Sequence, residues 1–96
     1  MIKSFADQGT SDLLYGDDTR AARRFPEPLW RRIQQQLIVL DTADTLKDLS
    51  ALPGNRLEAL RGTQRGRFRM RVNEPYRLTF RFEGGNCHEV RCEDYH

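Results

Sequence analysis

Ninety-six residues, 38% hydrophobic and 31% charged, suffice for one domain with one core and leave no room for a second. No apolar run approaches the ~20 residues that span a bilayer. The opening MIKSFADQGTSDLL has no apolar h-region or small-residue cleavage site, so the expectation is a globular, cytoplasmic protein without a membrane role. The net charge of +2 hides a division: residues 1–53 hold seven Lys/Arg and eight Asp/Glu, while residues 54–96 hold nine Arg, no Lys and six acids.

In chain order, Met1–Phe5 alternates Ile2 and Ser4 against Lys3 and Phe5, a pattern for a short opening strand. Asp12-Leu13-Leu14-Tyr15 reads as one helical turn stopped by Gly16-Asp17-Asp18. FPEPLWRRIQQQLIVLDTA is the clearest helix, with Pro26 and Pro28 in a first turn that loses no amide partner. Leu29, Ile33, Leu37 and Leu40 form one apolar stripe, which Trp30 extends. Asp44-Thr45 caps a short turn through Leu46 and Leu49, closed by Pro53-Gly54.

The period then changes from 3.6 to 2. Phe68, Met70 and Val72 alternate with Arg67, Arg69 and Arg71; Tyr76, Leu78, Phe80 and Phe82 alternate with Arg77, Thr79 and Arg81. Both are half-buried strands with an apolar face and an arginine face. Asn73-Glu74-Pro75 and Glu83-Gly84-Gly85-Asn86 are turns, Cys87–Asp94 is a third strand, and Leu57–Arg61 is a fourth that enters earlier. Helices followed by a strand meander predict an α+β domain with one sheet face on the helices. On the other face Arg67, Arg69, Arg71, Arg77 and Arg81 project together from a twisted sheet. Guanidinium forks suit phosphate, and single-stranded RNA is the natural polyanion for such a surface. A merely solvated strand face is the plainer alternative.

Cys87 and Cys92 lie five positions apart, and an odd separation in a strand sends them to opposite faces. They are expected as free thiols, in keeping with a reducing compartment. With His88 and His96 the spacing matches no zinc pattern, so neither metal nor cofactor is expected.

MIKSF, LDTA after the long helix, PGNRLEALRG, RVNEPYRLTFRFEGG and the final Asp94-Tyr95-His96 together resemble the HigB branch of the RelE/ParE toxin superfamily over nearly the whole chain. The resemblance implies a single RelE-like domain over residues 1–96, with an N-terminal strand and helices on one face of a mainly antiparallel twisted sheet. It implies a type II toxin, many of whose relatives are ribosome-dependent endonucleases that cut mRNA in the ribosomal A site. The implied partners are the ribosome and mRNA, a HigA-like helix-turn-helix antitoxin, and operator DNA only through the antitoxin complex. Its motifs place active-site roles on Asp94, Tyr95 and His96, and a scissile-phosphate contact on Arg77. In the segment where relatives often read L-H-P-L-K-G, this chain has Leu57-Glu58-Ala59-Leu60-Arg61-Gly62. Arg61 keeps the cation, but Glu58 replaces the imidazole.

Metal-free RNA cleavage by the adjacent 2′-OH needs a base, an acid for the leaving 5′-oxygen and cations for the charged phosphorane. Among Glu58, His88, Asp94, Tyr95 and His96, a histidine with its ordinary pKa near ~6.5 best matches neutral pH. The expectation is His96 as acid/base, Asp94 orienting it or acting beside it, and Tyr95 stacking on a base or positioning the tail. Arg61 and Arg77 hold phosphate, flanked by Arg67, Arg69, Arg71 and Arg81. Each has a structural alternative: a frayed terminus for His96, a solubilising acid for Asp94, edge packing for Tyr95, an ordinary solvated cation for Arg77. Glu58 is read as pairing with an arginine in preference to acting as a base, and His88 as structural. The functional rivals are a ParE-like toxin that poisons DNA gyrase and a weakly active binding protein.

Overall fold

The computed structural model describes residues 1–51, 54 and 56–94. Helix α1 spans Gln8–Leu14, starting earlier than the turn expected from Asp12. Asp7 supplies its N-cap, accepting the Thr10 amide at 2.7 Å. Asp12 accepts from the Thr19 hydroxyl at 2.6 Å and the Gln8 amide at 2.7 Å. These bonds hold its carboxyl below the usual range and tie the following loop to the helix.

Helix α2 spans Trp30–Thr42, led in by a 3-10 turn at Glu27–Leu29 whose N-cap is Pro26. The predicted stripe is the buried one: Ile33, Leu37 and Leu40 are fully enclosed, and Leu29 and Trp30 pack against them. Gln36 is buried on the same side, where its amide donates 2.7 Å to the Arg71 carbonyl. Arg32 donates likewise to the Val72 carbonyl, so two polar side chains of α2 fasten the end of a strand. Helix α3, Leu46–Ser50, opens with a reciprocal capping box between Thr45 and Asp48. Pro53, expected to close it, lies outside the described residues.

Four antiparallel strands follow in the order β1-β2-β3-β4: Glu58–Ala59, Arg67–Arg71, Tyr76–Glu83 and Asn86–Asp94. The first is shorter than the Leu57–Arg61 strand expected from the sequence, because only Glu58 and Ala59 pair with β2 in register. β3 and β4 are joined by Gly84-Gly85, with φ of +59° and +81°. Two consecutive left-handed residues are what a twisted two-residue hairpin requires. The N-terminal segment bridges β4 in parallel at Ile2 and Phe5, through bonds from the Lys3 amide to Cys87 and from the Ala6 amide to Val90. It covers an edge that would otherwise be open. The core lies between this sheet and the helices, centred on Met70, Leu78, Phe80 and Val90 opposite Ile33, Leu37, Leu40 and Leu49.

One expectation fails. Thr79 pairs with Arg91, but Arg81 pairs with His88, so Glu89 and Val90 share the place opposite Phe80. This bulge, with Glu89 at φ +53°, advances the alternation by one residue. Cys87, Val90 and Cys92 therefore all face the core, and the cysteines do not lie on opposite faces. Both are free thiols. Burial pushes Cys87 up to about 11 and Cys92 up to about 12.

Candidate functional site

The registers Arg67–Arg81, Arg69–Thr79 and Arg71–Arg77 put all five predicted arginines on the sheet face away from the helices. β4 adds Arg91 opposite Thr79 and Glu93 opposite Arg77. Thr79 is only 1% exposed, so the surrounding guanidinium stems roof over the middle of this face.

This surface is not a bare cationic sheet. Arg67 pairs with Glu89 at 3.2 Å, Arg69 with Glu58 at 3.1 Å, Arg71 with Glu74 at 3.0 Å and Arg91 with Glu93 at 3.5 Å. Arg81 pairs with Glu83 and approaches Glu89 at 3.9 Å. Glu58 thus stands as the counter-ion of Arg69, the role the sequence favoured over that of a base. These pairs are solvent-accessible, and each contributes ~0–1 kcal/mol, so a polyanion displaces the carboxylates at small cost.

Arg77 differs from its neighbours. Its Nη1 donates to three backbone carbonyls of the preceding turn: Asn73, Glu74 at 2.8 Å and Tyr76 at 3.0 Å. The turn is itself fixed by the Asn73 side chain, which accepts the Tyr76 amide at 2.9 Å. Glu93, directly across from Arg77, is engaged elsewhere, accepting the Thr79 hydroxyl at 2.6 Å. Among the described residues Arg77 forms no ion pair, so its charge is anchored in place without being neutralised. Arg61 also forms none; it is exposed at the turn before Gly62–Gln64.

Asp94 sits at the end of β4, in register with Tyr76. It has the parity of Cys92, so the pleat turns it toward the helix side, where it lines a cleft with Arg24, Phe25 and Tyr76. The structure therefore brings Asp94 to the same end of the sheet as Arg77, but not onto the same face. Tyr95 and His96 lie outside the described residues. His88, half-buried in register with Arg81, belongs to the opposite end of the sheet.

Sequence reasoning missed Glu89, Arg91 and Glu93 as members of this face. A signal for them was present. Val90 and Cys92 alternate with Arg91 and Glu93, but Cys87 is out of phase with that alternation, and such a phase break marks a bulge. Among the described residues no cluster of His, Cys, Asp and Glu is arranged to hold a metal ion. No described helix is long and apolar enough to cross a membrane.

Comparison with known proteins gives a consistent result. The HigB-like toxin family, described as the RelE-like toxin of type II toxin–antitoxin system HigB, matches residues 3–96. The chain is 39% identical over 71 residues to "Toxin HigB-1" of Vibrio cholerae, covering 74% of each chain. It is 31% identical over 96 residues, the whole of both chains, to "Endoribonuclease HigB" of Proteus vulgaris.

Proposed function

Since the chain belongs to the HigB-like family of RelE-like type II toxins, we propose that it is a ribosome-dependent endoribonuclease whose arginine face holds mRNA in the ribosomal A site. A type II toxin has an antitoxin partner; a HigA-like helix-turn-helix protein fills that place here, and the toxin reaches operator DNA only through their complex. The work is done in the cytoplasm.

The observation that carries this reading is the anchored, un-neutralised guanidinium of Arg77 on a face rich in exchangeable arginines. A donor held by three carbonyls needs little reorganisation when charge builds on the phosphorane. Arg67, Arg69, Arg71 and Arg81 trade their glutamates for backbone phosphates, and Arg61 adds a further cation at the rim. The 2′-OH then attacks the adjacent phosphorus, the P–O5′ bond breaks, and the proton passes through the acid/base group. His96 takes that part, Tyr95 positions the tail or stacks on a base, and Asp94 orients the tail from the end of β4. The weak acid/base set explains the need for the ribosome, which supplies the alignment.

Primer extension on a reporter mRNA with reconstituted translating ribosomes tests this. The wild type should give A-site cuts and little cleavage of naked RNA. Arg77→Ala should lower cutting about 10²–10³-fold, the usual effect of deleting one transition-state donor. His96→Ala should relieve toxicity while leaving a folded, antitoxin-binding protein. Wild-type toxicity without cuts, or full cutting by both variants, would overturn the assignment.

A further inference from the structure

One corner of the arginine face carries carboxylates that phosphate binding alone does not explain. Gln64, Arg67, Glu89, Arg91 and Glu93, with Ala6 at the rim, line a cleft of about 240 Å³. This is below the ~300–1,000 Å³ of drug-sized pockets, and it suits a single planar base. Glu89 enters the cleft from the bulge, at a backbone φ of +53° that L side chains rarely adopt. Bulges of this kind re-aim side chains, and strained non-glycine positions cluster at functional sites. Glu89 is also 58% exposed on its side chain, with one ion pair at 3.2 Å and another at 3.9 Å. Such contacts rearrange readily.

We infer that this cleft is a nucleobase pocket that selects guanine in the bound RNA, with Glu89 as its principal acceptor. The inference rests on the RNA-cleaving role proposed above. Phosphate offers only acceptors, so Glu89 and Glu93 would repel it. A guanine Watson–Crick edge instead presents two adjacent N–H donors, N1–H and N2–H, that one carboxylate accepts together. Its O6 and N7 are acceptors matched to the guanidinium of Arg67 or Arg91. Acids and guanidinium groups side by side thus complement guanine better than uracil, which has a single N–H, or adenine, which offers no N–H beside its exocyclic amine. The Gln64 amide, from the β1–β2 loop, closes the rim and can both donate and accept.

The test is titration of the ¹⁵N-labelled protein with GMP, AMP, CMP and UMP, read by amide shifts. GMP should move the Gln64, Arg67, Glu89 and Arg91 signals at lower concentration than the other three. Glu89→Gln should weaken GMP about tenfold and leave UMP unchanged. Glu89→Gly, which relieves the left-handed backbone, should fold at least as well and show the same loss. Equal response to all four monophosphates marks the cleft as a plain anion site and overturns the inference, as does GMP binding that neither variant changes. Cutting assays with Arg77→Ala separate the two readings. Unimpaired cutting there with a GMP-specific cleft removes the proposed phosphate contact and keeps the pocket. Lost cutting without GMP preference does the reverse.

Discussion

At the scale of single residues, the arginine face shows how equal side chains acquire unequal roles. Five of its arginines carry carboxylate partners, whereas Arg77 is held by carbonyls that leave its charge in place. Glu58 offers a clean discrimination, because its only described partner, Arg69, lies 3.1 Å away in an exposed pair. As a counter-ion it is dispensable. Glu58→Ala should change stability by no more than ~0.5 kcal/mol. Ribosome-dependent cutting should stay at or above the wild-type rate, since Arg69 is released for phosphate. A fall in cutting of 10²-fold or more, the low end of general acid–base effects, would instead make Glu58 the base.

At the scale of elements, two hairpins fix the face. The Asn73–Pro75 turn presents the carbonyls that hold Arg77, and the Gly84-Gly85 turn starts β4 in the register that later needs a bulge. Gly84 has open space around it, so a methyl group there meets no neighbour, and the cost of Gly84→Ala is purely conformational. Holding alanine at φ +59° should destabilise the protein by ~1–2 kcal/mol in urea unfolding. No loss would mean that the hairpin relaxes to another turn without disturbing the sheet. Residues 57–61 were expected as a longer strand, but only Glu58 and Ala59 pair. After Ala59 the limit is the partner, since β2 begins only at Arg67, beyond the Gly62–Gln64 turn; before Glu58 the backbone leaves the extended region at Arg56, with φ +47°.

At the scale of the whole molecule, both thiols are enclosed by the core. Their raised pKa values turn burial into a pH dependence. Below the ordinary thiol value of 9.0 both folded and unfolded states keep their protons. Between 9.0 and about 11–12 only the folded state does, so stability is lost as pH rises through that window. Cys92→Ala should flatten this decline in urea midpoints measured from pH 8 to 11. Alkylation of both thiols at pH 8 should also proceed no faster than global unfolding; rapid labelling of the native protein would contradict their enclosure.

The helix stripe, the two arginine-alternating strands and their turns were legible in the sequence because each follows from spacing within a few residues. So was the resemblance to the toxin family, carried by ordered motifs along the chain. What only the tertiary structure decided is non-local. The bulge arises from pairing across strands, and it moved Cys92 and Cys87 to one face and Glu89 to the other side of the sheet. Which arginine stays un-neutralised depends on glutamates brought in from β1 and β4, and on Thr79 drawing Glu93 away from Arg77. Asp94 reaches the right end of the sheet but the helix side of it, a matter of parity after the bulge. Periodicity determines which side chains share a face within one strand; register between strands determines which of them meet.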